Sequence, residues 1–322
     1  MTPRDIVVGD IGGTHARFAI ACLGGGVPVL RDVVSLPAHD YPDLAAALRC
    51  YGERLGRPLP EAAAFAVAGP VRGATISFTN SPWRIARDGL AEALGLERVL
   101  LINDFGAVGH AVAVLPEGDF ARVCGPEGPL PTHGAISIVG PGTGLGVAIV
   151  LRGAAGAQVI ETEGGHTAFA PLDAFEQALH ARLLRRHGRV SNERVVCGAG
   201  LVAIHEALRA EEGQKAAPLA DADLWAAALG GDDPHARAAL DRFCLSYGAV
   251  VGDLALAHGA AGVVLVGSLT QRMIAPLRAS GFAARFTAKG RHSGYMGAIP
   301  VRLATHPQPG LLGAAAAFAA AA

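Results

Sequence analysis

The stretch "VVGDIGGTHARFAI" places one carboxylate, Asp10, among glycines between two apolar runs, and Thr14 ends the glycine turn. Backbone N–H groups and a hydroxyl in such a turn suit phosphate oxygens. A carboxylate repels phosphate unless a cation stands between them, so Asp10 predicts magnesium bound through a water molecule. The alternative is a tight hairpin in which glycine only supplies a positive φ.

A second carboxylate follows an apolar run in "LLINDFGAV", where Asn103 and Asp104 come at the end of a predicted strand. Open α/β sheets bind their ligands at the carboxyl ends of strands. In phosphoryl transfer to an alcohol, an aspartate that accepts the hydroxyl proton is a recurring part, so Asp104 is the candidate base. Asn and Asp also begin helices, and either residue could cap the helix predicted after them.

Two further stretches carry polar side chains. "ETEGGHTAFAP" has two acids and a histidine around a glycine pair: Glu161, Glu163 and His166. A polyhydroxylated ligand requires acceptors with a donor or two beside them, although each residue taken singly is more often part of a solvated loop. "SNERVVCGAGL" adds Glu193, but Ser or Asn followed by an acid is ordinary helix initiation. Spacing alone therefore does not make Glu193 a ligand.

The pattern of the first glycine turn recurs in "SIVGPGTGLGVAIV", with Thr143 but no acid in the turn. A third apolar run, "GVVLVGS", ends in Gly267 and Ser268. Two hairpins with glycine turns at equivalent places predict two similar α/β halves that face each other, with their turns lining a cleft.

The elements that position these residues can be predicted from apolar runs and helical periodicity. Runs at 64–69 and 99–104 predict buried strands. An amphipathic helix over 41–57 is predicted from apolar residues at helical spacing, namely Leu44, Leu48, Tyr51 and Leu55. Further helices are predicted at 173–187 and 235–258, and a loop is predicted at 124–134.

Composition limits the kinds of protein that the chain can be. It has 322 residues, 51% of them hydrophobic, and a formal charge of −1, which favours two domains and gives no basic field to attract nucleic acid. Its five cysteines are widely spaced, which predicts reduced thiols in a cytoplasm. Asp5 and Asp10 interrupt any signal peptide, and the Ala-rich tail from Leu311 is too short to span a membrane. A soluble protein is expected.

Three common motifs are absent from the sequence. Of the two lysines, Lys215 and Lys289, neither closes the G-x-x-x-x-G-K-[ST] of a P-loop. In "GPGTGLGVA", Val147 stands where a dinucleotide fingerprint needs its third glycine, which makes a Rossmann dehydrogenase a poor second candidate. The His-Glu pair at 205–206 is followed by Arg209 where a zinc protease motif needs its second histidine.

The chain resembles the bacterial ATP-dependent glucokinases, of the hexokinase, actin and heat-shock-chaperone superfamily. Six stretches carry the resemblance, in order and over almost the whole length: "VGDIGGTHAR", "INDFGAV", "GPGTGLGVA", "EGGHTAFAP", "SNERVVCGAGL" and "HPQPGLLGAA". The resemblance implies an α/β fold of two ribonuclease-H-like (actin-like ATPase) domains with ATP and sugar in an interdomain cleft. It implies a small α/β domain at 1–112 plus 303–322, a large one at 113–302, and a cytoplasmic homodimer.

The resemblance also implies roles for individual residues. Nucleotide binding falls to Gly9, Asp10, Ile11, Gly12, Gly13, Thr14, Gly142, Thr143, Gly144 and Gly267. Sugar binding falls to Asn103, Asp104, Glu163, His166 and Glu193. Asp10 is the acid that organises magnesium, and Asp104 is the base that activates the 6-hydroxyl. Two positions depart from the family pattern: Ser268 replaces a second glycine, and His15 stands where asparagine is common.

The implied reaction moves the γ-phosphoryl of MgATP to the 6-hydroxyl of glucose, giving glucose 6-phosphate and ADP, a step of glycolysis. ATP and glucose are therefore the expected partners, with neither nucleic acid nor a membrane. The cysteine-rich zinc loop of the related repressor-type sugar kinases is absent. A kinase for another hexose, a non-catalytic sugar or nucleotide sensor and an actin-like ATPase remain alternatives, because a fold does not fix a function.

Overall fold

The computed structural model describes residues 4–69, 71, 73–77, 83–214, 220–231 and 233–321. Lys215 and Ala322, which enter the sequence interpretation, lie outside the described residues. The chain forms two compact units. The first unit comprises Met1–Pro116, Val159–Glu161 and His306–Ala322, and the second comprises Glu117–Gln158 and Thr162–Thr305. The domain boundaries at 1–112 plus 303–322 and at 113–302 stay a prediction.

Strands and helices are interspersed along the described residues. The strands are β1 (Arg4–Ile11), β2 (His15–Leu23), β3 (Val29–Pro37), β4 (Ala62–Val67), β5 (Thr75–Ser77), β6 (Arg84–Ala86), β7 (Arg98–Asn103), β8 (Phe120–Cys124), β9 (Gly134–Pro141), β10 (Leu145–Gly153), β11 (Gly156–Thr162), β12 (Ala260–Leu265) and β13 (Val301–Ala304). The helices are α1 (Leu44–Leu55), α2 (Leu90–Leu94), α3 (Asp104–Val114), α4 (Ala174–His187), α5 (Asn192–Val195), α6 (Gly198–Glu211), α7 (Asp221–Gly230), α8 (Pro234–Ala257), α9 (Ser268–Arg272), α10 (Ile274–Ala279), α11 (Phe282–Thr287), α12 (Ser293–Gly297) and α13 (Pro309–Ala320). Short 3-10 turns lie at Ala38–Asp40, Glu117–Asp119, Gly164–His166 and Gly290–His292.

The first unit is built on a five-stranded sheet in the order β3-β2-β1-β4-β7. β1 and β2 form the antiparallel hairpin predicted for the N-terminus, and Asp10 lies opposite Arg17 in it. β4 runs parallel to both β1 and β7. Alternate residues of β4 enter two different apolar clusters, because a strand presents successive side chains to opposite faces of the sheet. The sheet is therefore covered on both faces.

The predicted amphipathic helix is α1, and it covers one face of this sheet. Its apolar residues Leu44, Leu48 and Tyr51 are buried, as the spacing predicts. The Asp43 carboxylate caps the helix by accepting the N–H of Ala46 at 2.7 Å, and Gly56 ends it in a left-handed conformation.

The second unit is built on a six-stranded sheet in the order β11-β10-β9-β12-β13-β8. β9 and β10 form the second predicted antiparallel hairpin, and β12 runs parallel to β9. In each sheet, the first strand of a glycine-turn hairpin also pairs with a parallel strand from later in the chain. The predicted repeat of the hairpin is therefore confirmed. The predicted long helix is α8, which lies in a core that contains Trp225, Phe243 and Phe282. Strands β8 and β13 were not predicted from the sequence.

The other face of the first sheet is covered by α13, whose backbone approaches that of α3 directly. A Cβ added to Gly313 would overlap the carbonyl oxygen of Ala107 in α3. Gly310, three residues earlier on the same face of α13, lies against Asp10, where an added Cβ would be 2.9 Å from the carboxylate carbon Cγ. Glycine at both positions lets α13 lie close to α3 and to the end of β1.

Among the described residues, no helix combines the length and the apolar character that crossing a bilayer requires. All five cysteines are free thiols.

We expect Gly313→Ala to destabilise the first unit by about 1–3 kcal/mol, because α3 and α13 must separate to admit the methyl group. The measurement is a urea titration followed by the fluorescence of Trp83, which lies in the core of the first unit. A Trp225→Phe background, shared by every variant, removes the signal of the second unit. Gly26→Ala is the control, because its Cβ would meet no atom within 4 Å. Equal midpoints for the two variants would contradict the close packing.

Candidate active site

Asp10 lies near the end of β1, partly buried, with the Arg17 guanidinium 3.3 Å from its carboxylate oxygen. Burial raises the pKa of Asp10 above its ordinary value, and the charge of Arg17 opposes part of that rise. Gly310, in the first turn of α13, lies against the carboxylate. The positive end of the helix dipole therefore also favours the ionised form.

The number of metal-binding side chains near Asp10 limits how it could hold a cation. Among the described residues, no group of three or more His, Cys, Asp or Glu side chains could hold a metal ion by itself. Magnesium is commonly held by one or two carboxylates together with substrate phosphates and several waters. A partly buried aspartate beside a glycine turn fits a magnesium ion that arrives with a nucleotide.

The glycines of the first turn do not have the role that the hairpin alternative requires. No residue between 9 and 14 has a positive φ. Gly9 is needed for packing, because an added Cβ would lie 2.5 Å from Cδ1 of Phe65. Gly12 donates its N–H to the carbonyl of His15 at 2.9 Å, and an added Cβ there would make only an ordinary contact with that oxygen. The exposed Thr14 ends the turn.

The second glycine turn, between β9 and β10, is held by backbone hydrogen bonds. Gly142 donates its N–H to the carbonyl of Gly144 at 2.8 Å, and its own carbonyl accepts the N–H of Gly198 at 2.8 Å. Gly142 has no positive φ, and an added Cβ would meet no atom within 4 Å. Gly142 and Thr143 are exposed. The fold itself does not require glycine at 142, and the open space there would admit the close approach of a ligand.

Glu193, in the short helix α5, lies on the second glycine turn. Its carboxylate oxygen Oε2 accepts the N–H of Leu145 at 3.1 Å, and a Cβ added to Gly144 would overlap that oxygen. The second turn therefore also has an acid, although none stands within the turn in the sequence. Local spacing could not reveal this, because Glu193 and Leu145 are 48 positions apart.

The structure divides the roles of Asn103 and Asp104. Asn103 caps α3, because its Oδ1 accepts the N–H of Phe105 at 2.9 Å and that of Gly106 at 3.1 Å. Its Nδ2 donates to the carbonyl of Gly69 at 3.0 Å. Asp104 is the first residue of α3, and its Oδ1 accepts the N–H of Phe105 at 2.8 Å. The helix cap is Asn103, one of the two possibilities that the sequence left open.

Register places the two acids at the same edge of the first sheet. Ile11 lies beside Val67 in the parallel pair β1–β4, and Val67 lies beside Asn103 in the parallel pair β4–β7. Two strand spacings separate β1 from β7, which is about 9–10 Å. Asp10 comes directly before Ile11, and Asp104 comes directly after Asn103. Both acids therefore lie at the carboxyl ends of these parallel strands.

Glu163 precedes the 3-10 turn after β11 and His166 ends it, and both side chains are exposed. Their nearest charged atoms, Oε2 and Nε2, are 4.0 Å apart. Gly165 lies beneath them, where a Cβ would overlap the carbonyl oxygen of Leu145. Asn192, at the start of α5, donates its Nδ2 to Oγ1 of Thr167 at 2.9 Å, so this turn is tied to the helix that carries Glu193.

Gly267 lies next to the second glycine turn and requires glycine for its own conformation. Its φ is 95°, and an added Cβ would lie 3.3 Å from the carbonyl oxygen of Pro141. Ser268 follows as the exposed first residue of α9.

Sequence reasoning missed three contacts of these residues: Arg17 on Asp10, Gly310 on Asp10, and Glu161, whose Oε1 accepts the N–H of Asn103 at 3.3 Å. The quoted motifs contain all three residues, but only the fold brings each one to its partner.

Comparisons with known proteins agree with this fold. A family model described as "Glucokinase" matches residues 7–321. The glucokinase of Zymomonas mobilis is 52% identical over 316 residues, 98% of this chain and 98% of that one. The crystal structure of a glucokinase from an Antarctic psychrotroph has a TM-score of 0.85 at 33% identity and covers 97% of this chain and 98% of that one. A ROK family glucokinase from Streptomyces griseus, solved with glucose and AMPPNP, has a TM-score of 0.65 at 18% identity and covers 99% and 100%.

These structural likenesses confirm the predicted fold class, which is the two-domain α/β fold of the actin-like ATPases. The chain belongs to the glucokinase family. The resemblance recognised from its motifs is therefore confirmed.

We expect Gly142→Ala to leave stability within about 0.5 kcal/mol of wild type and to raise the KM for ATP about tenfold. The methyl group meets no atom of the protein within 4 Å but would enter the open space that a phosphate is expected to use. The measurements are a urea titration and initial rates over a range of ATP concentrations. Gly153→Ala, in β10 with no atom within 4 Å of its Cβ, is the matched control. An unchanged KM for ATP in Gly142→Ala would contradict a phosphate role for this turn.

Proposed function

We propose that the chain transfers the γ-phosphoryl of MgATP to the 6-hydroxyl of glucose, giving glucose 6-phosphate and ADP. The observation that carries this is the shared register that brings Asp10 and Asp104 to the same edge of one sheet. The strands that carry these acids lie about 9–10 Å apart, which leaves room for a phosphoryl group and the accepting hydroxyl. Membership of the glucokinase family, with a relative 52% identical over 98% of the chain, supports the hexokinase-type reaction on glucose.

Asp104 is the residue that we propose accepts the proton of the 6-hydroxyl as the oxygen attacks phosphorus. Its place at the start of α3, held by the Asn103 cap, fixes its backbone. Such fixation matters because phosphoryl transfer depends chiefly on positioning and on electrostatic stabilisation.

Asp10 and the two glycine turns are proposed to hold the nucleotide. When bound, magnesium would neutralise charge on the phosphates, and Asp10 would hold it through a water molecule. The residues that contact the nucleotide are proposed to be Gly9, Asp10, Ile11, Gly12, Gly13, Thr14, Gly142, Thr143, Gly144 and Gly267. The open space at Gly142 supports this assignment, because a phosphate oxygen can approach the backbone there.

The sugar is proposed to contact Asn103, Asp104, Glu163, His166 and Glu193. The amide nitrogen of Asn103 carries two hydrogens, so it can serve the sugar as well as the carbonyl of Gly69. Glu193 has two carboxylate oxygens, of which Oε2 holds Leu145 and Oε1 is proposed to accept a sugar hydroxyl. Polar groups placed in this way reject a sugar that lacks a hydroxyl, because they would be left without a partner.

We further propose that the enzyme works as a homodimer in the cytoplasm, within glycolysis. The five free cysteines fit a reducing compartment, and the family resemblance supports the dimer. Light scattering at several protein concentrations tests the dimer directly.

Initial-rate ADP release distinguishes this reaction from its alternatives. It is measured with ATP and magnesium, without sugar and with glucose, mannose, fructose or N-acetylglucosamine. Release that requires glucose is the expected result, and preferential use of another sugar would make the chain a kinase for that sugar. Equal release without sugar would indicate an ATPase, and no release with any sugar would indicate a sensor.

We expect Asp104→Asn to reduce kcat by about 10²–10⁴-fold while glucose binding changes little, because the amide keeps the shape but cannot take the proton. Glucose binding is measured by calorimetry and turnover by ADP release. Asp223→Asn, an exposed aspartate in the first turn of α7, is the control for removing one negative charge near a helix N-terminus. Turnover near wild type in Asp104→Asn would exclude Asp104 as the base.

A further inference from the structure

Glu161, at the end of β11, belongs to the first unit and makes a contact that no proposed role explains. Its side-chain Oε1 accepts the backbone N–H of Asn103 at 3.3 Å. The same oxygen lies on the first turn of α3, because a Cβ added to Gly106 would overlap it and would lie 3.0 Å from the carboxylate carbon Cδ. Although Glu161 is exposed, its carboxylate is fixed at the start of the helix that begins with Asp104.

The residue before Asp104 makes hydrogen bonds through both its side chain and its backbone N–H. The Asn103 side chain holds the first turn of α3 through Oδ1 and the carbonyl of Gly69 through Nδ2. Its backbone N–H donates to Oε1 of Glu161. A carboxylate acceptor at a helix N-terminus makes a stronger hydrogen bond than a neutral one and complements the helix dipole.

Glycine at 106 is explained by the same contact. Position 106 lies inside α3, where alanine would favour the helix by about 0.5–1 kcal/mol, yet any Cβ there would displace Glu161. The chain thus has a residue unfavourable to the helix at the one place where the carboxylate of Glu161 needs room.

We propose that Glu161 is a positioning residue, which orients Asp104 toward the accepting hydroxyl by holding the backbone of Asn103 and the first turn of α3. This inference rests on the proposed role of Asp104. In this role Glu161 acts through the backbone and not on the substrate, so its removal should lower turnover by misplacing the base rather than by removing it.

Three variants test the proposal. Glu161→Ala should lower kcat about ten- to a hundredfold and change the KM for ATP less than twofold, because a small misplacement of a reacting group is costly while the phosphate turns are untouched. Glu161→Gln keeps an oxygen acceptor and should restore most of kcat. Gln158→Ala, an exposed change on the same strand, is the control and should behave as wild type.

Gly106→Ala gives an independent measurement. Alone it should lower kcat by displacing the carboxylate, whereas in the Glu161→Ala background it should cause no further loss, because the carboxylate that the methyl group would meet is then absent. A merely structural role would shift the urea midpoint, so each variant is also titrated with urea.

Wild-type kcat in Glu161→Ala would overturn the inference while leaving the proposed function intact. Equal losses in Glu161→Gln and Glu161→Ala, or additive losses in the double variant, would also overturn it. Failure of the wild-type chain to phosphorylate glucose would instead overturn the proposed function, so the two failures are distinguishable.

Discussion

Backbone contact between α3 and α13 is the constraint on which the first unit depends. Gly313 brings α13 against the carbonyl of Ala107, and no side chain can stand between the two helices there. The N-terminal turn of α13 then lies against Asp10 at Gly310, while the N-terminal turn of α3 carries Asp104. This close packing contact thus brings two helix N-termini to the edge of the sheet where strand register places Asp10 and Asp104.

Carboxylates beside glycine turns are held by different means in the two units. Asp10 belongs to its own turn, and its charge is balanced by Arg17 and the dipole of α13. Glu193 reaches the second turn from a helix far along the chain and is held by the N–H of Leu145. A nucleotide bound at the second turn would therefore lie beside a backbone N–H, that of Leu145, which already donates to the Glu193 carboxylate. The negative charge of that carboxylate favours phosphates that arrive with a cation.

Much of this arrangement could be predicted from the sequence, because local periodicity determines it. The two hairpins, the buried strands and helices such as α1 and α8 follow from apolar runs, capping residues and helical spacing. The strands β8 and β13 were missed because they are short, with weak alternation. The carboxylates of Glu161 and Glu193 could not be placed, because their partners are 58 and 48 positions away. Only the tertiary fold shows that Asn103 caps the helix while Asp104 follows it.

Transfer of the phosphoryl group to the 6-hydroxyl of glucose is tested most directly by comparing glucose with 6-deoxyglucose. The analogue lacks only the accepting hydroxyl, so the proposed sugar contacts can still form. We expect 6-deoxyglucose to bind, to compete with glucose and to yield no ADP above the sugar-free rate. Phosphorylation of 6-deoxyglucose at a rate close to that of glucose, seen by phosphorus NMR of the product, would contradict it.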